Sequence, residues 1–147
     1  MNKAFLTGKK VYLRGLEEDD LEYIQKWLCD SEVTHLLFQG DKPLLLDQIK
    51  ENFLNDVKAG SVIFAIFDKK KNKIIGWAGL YEFDWISRKS EVRFFIGEKS
   101  YWKKGFATEC VSLLVNYGFQ KLNLHRIYGG VNEENHGSAK IFLKLGF

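Results

Sequence analysis

The chain has 147 residues, a formal net charge of +3, and 46% hydrophobic and 28% charged residues. This length is typical of one domain, and so mild a charge argues against nucleic-acid binding, which needs a concentrated basic face. No apolar run approaches the length of a membrane span, and the two cysteines belong to no disulfide or zinc motif. We therefore expect one globular domain, residues 1–147, that acts in the cytoplasm without a metal ion.

Alternating apolar residues and helical spacing predict a strand, two helices, three strands, a helix, a strand and a helix. Their ranges are 11–16, about 21–28, 46–57, 62–67, 74–83, 91–96, 107 to about 122, 126–131 and 138–145. The stretch 30–42 is irregular, and the lysine-rich run 69–73 predicts a solvated hairpin turn. This order predicts a mixed α/β (α+β) fold whose largely antiparallel sheet is covered by helices on both faces.

Residues 101–109, YWKKGFATE, follow a predicted strand and open a predicted helix. The first amides of a helix have no partner within the helix, and the helix dipole adds positive charge there. A basic, glycine-containing loop at this position therefore indicates a site for phosphates. The segment has neither the Walker pattern nor the three-glycine fingerprint, so an ordinary strand–loop–helix unit remains an alternative for it on its own.

A second motif, NHGSAKIFLKLGF at 135–147, follows in the chain. With the GFATE sequence at 105–109, VYLRGL at 11–16 and SEVRFFI at 90–96, the chain resembles the GNAT superfamily of acyl-CoA-dependent N-acyltransferases. The resemblance covers nearly the whole chain and is closest to the ribosomal-protein N-terminal acetyltransferase type. It implies the GNAT fold, in which two splayed strands form an acyl-CoA cleft.

The resemblance also implies acetyl-CoA as the co-substrate and assigns residues to it. The pyrophosphate is expected on the backbone amides of Lys103, Lys104, Gly105, Phe106, Ala107 and Thr108. The pantetheine arm is expected along Phe94, Phe95 and Ile96, with one amide there acting as an oxyanion donor. Asn135 is expected to bind the arm from the other side, although it could instead cap a helix. Trp102 and Lys103 depart from the usual family motif.

The proton-transfer groups are less strongly specified. Phe142 stands where many family members have a tyrosine acid. The type that the chain resembles commonly has a serine at the position of Ser138, so the resemblance makes Ser138 the candidate acid for the thiolate, or at least a hydrogen-bond donor to the thiol. Serine is also a favoured helix N-cap, which is the alternative for Ser138. Glu91 is the candidate base, acting through water, unless it only pairs with Arg93 two residues along the same strand face. His35 and His136 are outside candidates.

The acceptor is expected to be a primary amine: a protein N-terminus, a polyamine, an amino sugar or an aminoglycoside. Aromatic and acidic side chains near its predicted approach could attract a cation or could form a hairpin rim. They are Trp77, Tyr81, Glu82, Asp84 and Trp85. A non-catalytic acyl-CoA sensor or assembly domain is the alternative function, and a purely structural domain is a third.

In the family, two further strands follow the Gly-Phe pair at which this chain stops. We therefore expect a C-terminal truncation of the domain, with an unusually short protein as the alternative. The last strand would then be an unprotected edge, which favours pairing with another copy in a homodimer.

Overall fold

The computed structural model describes residues 3–35, 37 and 42–147. Within these ranges, six strands form one sheet in sequence order. The strands are β1 (Leu6–Thr7), β2 (Val11–Gly15), β3 (Val62–Asp68), β4 (Lys73–Asp84), β5 (Lys89–Ile96) and β6 (Arg126–Tyr128). The helices are α1 (Leu21–Leu28), α2 (Ser31–Thr34), α3 (Leu46–Lys58), α4 (Phe106–Gln120) and α5 (His136–Lys144). A short 3₁₀ turn at Glu18–Asp20 leads directly into α1, and a second one at Lys99–Tyr101 lies shortly before α4.

Neighbouring strands from β1 to β5 are antiparallel, and β6 runs parallel to β5. With helices on both faces, this confirms the predicted mixed, largely antiparallel fold. The two-residue β1 was not predicted, because so short a strand shows no periodicity. The helix α2 lies in the stretch predicted to be irregular, and its N-cap Asp30 accepts a hydrogen bond from the Glu32 amide at 3.0 Å. Residues 36 and 38–41 of that stretch lie outside the described residues.

Each face of the sheet has its own apolar core. One core packs α4 and α5 against the sheet and includes the fully buried Leu80 and Leu114. The other packs α1 to α3 against the opposite face through Trp27, Ile49 and Trp77. Burying one such aliphatic side chain contributes about 1.5–3 kcal/mol. None of the helices in the described ranges is long and apolar enough to cross a membrane.

One carboxylate joins the turn between β1 and β2 to the first turn of α4. Glu109 accepts hydrogen bonds from the backbone amides of Lys9 at 3.0 Å, Lys10 at 2.7 Å and Val11 at 2.8 Å. Its position near a helix N-terminus also suits a negative charge. In the other direction, the Nζ of Lys10 donates to the carbonyl of Lys104 at 2.6 Å. These bonds hold the segment before α4 against the sheet.

A second buried contact holds the same segment from the end of β3. The hydroxyl of Tyr101 donates to Asp68 at 2.6 Å, and both residues are buried. This hydrogen bond raises the pKa of Tyr101 to about 12. Burial acts to raise the pKa of Asp68, but hydrogen bonds from Tyr101 and nearby backbone amides hold it below its usual value. The contact therefore stabilises the fold with Tyr101 protonated and Asp68 ionised.

We expect Glu109→Gln to lower the free energy of unfolding by about 1–3 kcal/mol, because three amides lose a charged acceptor. Urea denaturation measures this change. Glu22→Gln is the matched control, since Glu22 is exposed on α1 and makes no side-chain hydrogen bond or ion pair within the described ranges. Equal stability of the two variants would contradict the role given to Glu109.

We expect Tyr101→Phe to cost about 1.5–3 kcal/mol at neutral pH, because a charged acceptor loses its hydroxyl donor. The hydroxyl is protonated in both folded and unfolded states below pH 10, so its contribution is fully present there. The contribution of the hydroxyl to the free energy of unfolding falls as the pH rises from the ordinary tyrosine pKa of 10.0 through the folded value of about 12. Denaturant titrations of both proteins between pH 7 and about pH 11 test this window.

Tyr23→Phe serves as the control for that series, because Tyr23 is exposed and its hydroxyl has no hydrogen-bond partner in the described part of the chain. A stability difference between wild type and Tyr101→Phe that stays constant up to pH 11 would contradict the assignment.

Candidate active site

The phosphate loop, residues 102–105, lies between the 3₁₀ turn and α4. Gly105 is the N-cap of α4 and has a left-handed backbone with a φ of 86°, while Lys103 has a φ of 60°. No side chain caps this helix. The left-handed conformation is inexpensive for Gly105 because it has no Cβ. The loop thus brings the helix N-terminus to the surface with its amides uncapped.

These amides are free to bind an anion. Among the residues described, no oxygen accepts a hydrogen bond from the backbone amides of residues 103–108. Converging amides at a helix N-terminus fit a pyrophosphate. Lys10, which the sequence analysis did not single out, adds positive charge, because its Nζ lies 5.5 Å from the centre of the Phe106 ring. The geometry of the loop therefore fits the pyrophosphate expected there.

The strands β5 and β6 part after a short contact. Only Lys89, Ser90 and Glu91 of β5 pair with β6, whose partners are Arg126 to Tyr128. The predicted strand 126–131 therefore ends three residues early, and residues 129–131 leave the sheet. Residues 92–96 of β5 pair with β4 along one edge only. At alternate residues of this segment, the backbone N–H and C=O groups point away from β4, toward the edge that β6 has left open.

A cleft of about 560 Å³ lies along this open edge. Of the residues predicted for the pantetheine arm, Phe94, Phe95 and Asn135 line it. Ile96 does not line it, and its carbonyl accepts a hydrogen bond from the indole Nε1 of Trp102 at 2.8 Å. The tryptophan at the start of the phosphate loop therefore already engages this carbonyl.

Glu91 lies in the cleft and is paired with Arg93. The Nε of Arg93 donates to Glu91 at 2.6 Å, and its Nη2 lies 3.7 Å from Glu82. The guanidinium also stacks on Tyr81, with its Cζ 4.4 Å from the ring centre. The pairing considered as the alternative for Glu91 is thus present. A carboxylate that faces the cleft can still act as a base through water.

The start of α5 supplies the opposite wall of the cleft. Asn135 is the N-cap of α5, and its Oδ1 accepts a hydrogen bond from the Ser138 amide at 3.1 Å. The helix begins at His136, two residues before the predicted start, so Ser138 lies inside its first turn. The alternative that Ser138 is the N-cap is therefore wrong. Ser138 lines the cleft, as does the buried Phe142, whose ring offers no proton.

The residues expected near the acceptor divide into two groups. Trp77 and Tyr81 line the cleft. Asp84 instead caps a turn by accepting from the amides of Ile86 and Ser87, and Trp85 stacks on Phe83 at a centroid distance of 4.8 Å. Asp84 and Trp85 thus form the hairpin rim that was the alternative for the whole set.

His35 and His136 do not line the cleft. Across residues 3–35, 37 and 42–147, no three His, Cys, Asp or Glu side chains are grouped as a metal site would require.

Two polar residues of α3 line the cleft and were missed in the sequence analysis. Asn52 and Asp56 lie four residues apart, which places them on one face of the helix. Ile49, Phe53 and Val57 share the four-residue spacing that predicts this helix, but Val57 is 54% exposed. The four-residue spacing from Asn52 to Asp56 was a usable signal, although only the docking of α3 shows that this face points into the cleft.

Comparisons with known proteins agree with this geometry. The family described as Acetyltransferase (GNAT) domain matches residues 10–147. An uncharacterised N-acetyltransferase of Bacillus licheniformis is 31% identical over 147 aligned residues, covering 97% of this chain and 81% of the relative. Spermidine N(1)-acetyltransferase of Escherichia coli K12 is 28% identical, covering 96% of this chain and 74% of that enzyme.

Among solved structures, spermidine N-acetyltransferase from Vibrio cholerae in complex with CoA and spermine superposes with a TM-score of 0.82. The two chains are 26% identical, and the match covers 95% of this chain and 81% of that one. Because the family match spans nearly the whole sequence, this chain belongs to the GNAT acetyltransferase family and is an acetyl-CoA-dependent N-acetyltransferase.

Proposed function

We propose that the protein transfers acetyl groups to polyamines, and that Glu91 and Ser138 handle the protons. The observation that carries the proposal is the meeting of the open edge of β5 with both side chains in one cleft. Holding the two reactants together in such a cleft can supply about 7–11 kcal/mol of the barrier.

The phosphate loop and the open strand position the acetyl-CoA. The amides of residues 103–108 bind the pyrophosphate, with Lys103 and Lys104 adding charge. The open edge at Phe94 and Phe95 binds the peptide-like pantetheine arm, and one amide there polarises the thioester carbonyl. Because the Oδ1 of Asn135 caps α5, its Nδ2 amide group remains to bind the arm from the opposite wall.

Glu91 and Ser138 act on the two sides of the reacting carbonyl. Glu91 accepts a proton from the acceptor ammonium through a water molecule, which frees the nitrogen lone pair. The nitrogen forms a bond to the thioester carbon, the carbon–sulfur bond breaks, and the nitrogen releases its second proton to solvent. Ser138 donates a proton to the departing thiolate and regains one from solvent. The products are an N-acetylated amine and the free thiol of CoA.

Polyamines are favoured as acceptors for two reasons. The relatives include enzymes named as spermidine acetyltransferases. The aromatic residues Phe53, Trp77 and Tyr81 also line the cleft, and such rings suit an alkyl chain carrying ammonium groups. A protein N-terminus, as in the ribosomal-protein type, an amino sugar and an aminoglycoside stay predictions from the sequence.

Two other functions were left open by the sequence. The relatives matched along the chain are N-acetyltransferases, which sets aside a purely structural domain and a non-catalytic acyl-CoA sensor. A single domain, a C-terminal truncation and a homodimer stay predictions. We place the enzyme in the cytoplasm as part of the proposal, since Cys29 and Cys110 are free thiols, as expected in a reducing compartment.

Calorimetric titration with acetyl-CoA tests the phosphate loop. We expect Gly105→Ala to weaken binding about tenfold or more, because a side chain at a left-handed position displaces amides that bind the phosphates. Gly60→Ala is the matched control: Gly60 has a φ of 99° and lies at the end of α3, with no atom near its added Cβ. Equal affinities of the two variants would overturn the loop assignment.

Steady-state kinetics with spermidine test the proton-transfer residues. We expect Glu91→Gln to lower kcat/KM about 100-fold or more at neutral pH. Its residual activity should rise with pH, because the fraction of neutral amine rises toward an ordinary ammonium pKa of about 10.4. Ser138→Ala should lower kcat without weakening the binding of acetyl-CoA.

Glu51→Gln controls for the loss of a carboxylate, since Glu51 is exposed on α3 and does not line the cleft. Full activity of Glu91→Gln at every pH would remove Glu91 as the base, and a wild-type kcat for Ser138→Ala would remove Ser138 as the acid.

A further inference from the structure

The α3 wall of the cleft carries an acidic side chain that the proposed chemistry does not use. Asp56 is half-buried and lines the cleft one helical turn beyond Asn52. Glu91, the proposed base, lies on the facing β5 next to the open edge. The cleft therefore has a carboxylate on each of two facing elements, and only one is needed for proton transfer.

Asp56 has no cationic partner, although a guanidinium lies nearby. Arg93 is engaged by Glu91 at 2.6 Å and by Glu82 at 3.7 Å, and it stacks on Tyr81. Across residues 3–35, 37 and 42–147, the Asp56 carboxylate makes neither an ion pair nor a hydrogen bond. Burial raises the pKa of Asp56, opposed by Arg93 and reinforced by Glu82. Burial makes the negative charge of Asp56 unfavourable, and a positive group bound beside the carboxylate would stabilise that charge.

The hydroxyl of Tyr81 is a second unpartnered polar group at this place. Tyr81 is 4% exposed and lines the cleft, and its hydroxyl meets no hydrogen-bond partner in the described part of the chain. Burial and the nearby charges of Asp56 and Glu91 raise its pKa, so it stays a neutral phenol. No fully buried side-chain N or O atom among the described residues lacks a partner, so this hydroxyl is accessible from the cleft although the residue as a whole is buried. A phenol oxygen can accept a hydrogen bond from an ammonium.

We propose that Asp56 is a specificity-determining residue that binds a second, non-reacting ammonium group of the acceptor, with the Tyr81 hydroxyl as an additional acceptor. The inference rests on the proposed function and names the part of the substrate that α3 recognises. An ammonium group has three donors, which Asp56, Tyr81 and the side-chain oxygen of Asn52 can share. The aromatic walls formed by Phe53 and Trp77 contact the alkyl chain between the two nitrogens.

The test compares diamines with monoamines. Spermidine and α,ω-diamines of three to six carbons are each assayed beside the monoamine of equal chain length, with acetyl-CoA saturating. For wild type, we expect the best diamine to have a KM about tenfold or more below its monoamine, because a charged hydrogen bond is worth about that factor. Asp56→Asn should remove the preference by raising KM for the diamine, with kcat and the monoamine kinetics little changed.

The controls separate recognition from folding. Glu51→Gln removes an exposed carboxylate from the same helix and should leave the diamine preference intact. Asp56→Glu keeps the charge and should retain part of the preference, and thermal denaturation of each variant checks that it folds. If Asp56→Asn changes the diamine and monoamine kinetics equally, or changes neither, the inference is overturned.

A binding measurement distinguishes failure of the inference from failure of the proposed function. Spermidine is titrated calorimetrically into the protein saturated with CoA. If no amine is acetylated by wild type, the proposed function fails. Asp56 is then judged by binding alone: at least a tenfold loss of spermidine affinity in Asp56→Asn supports the site, and unchanged affinity overturns it.

Discussion

The site depends on the parting of β5 from β6. The strand β5 is held by β4 along its length, so the three-residue pairing with β6 leaves the other edge of β5 open where the chains diverge. Gly129 follows β6, where an added Cβ would lie 2.5 Å from the Phe142 ring. The close approach of α5 to this turn is therefore possible only because residue 129 has no side chain. An open edge in a protein interior is costly unless its amides and carbonyls find partners, and an extended, amide-containing ligand supplies them.

The pleat of β5 gives the open edge two different sides. Glu91 and Arg93 face α3, whereas Val92 and Phe94 face α4 and α5, because successive side chains point to opposite faces. One strand thus supplies both polar and apolar side chains to the cleft. Arg93 pairs with Glu91 and lies 3.7 Å from Glu82, so Glu91 has a cationic partner, whereas Asp56 on the helix that faces the strand has none among the described residues. A cation is the group that this arrangement favours.

The phosphate loop is held by elements that are distant in the sequence. Trp102 binds the last carbonyl of β5, Tyr101 binds the end of β3, and Lys10 of the β1–β2 turn binds the carbonyl of Lys104. Glu109 ties the same turn to α4. Free amides bind an anion well only if they do not have to be reorganised first. These hydrogen bonds keep the amides in place and connect the loop to the open-edged strand β5.

The sequence by itself determined the order of the longer elements, the glycine-containing loop before α4 and the family, because these rest on local signals: alternation in strands, helical spacing, and a glycine before a helix. Tertiary structure decided the rest. Nothing local distinguishes Asn135 from Ser138 as the cap of α5, and the face of α3 that carries Asp56 is set by how that helix docks on the sheet. The engagement of Arg93 by two carboxylates and the capture of the Ile96 carbonyl by Trp102 likewise depend on turns and strand registers. Such contacts join groups whose positions are fixed only when the whole sheet has formed.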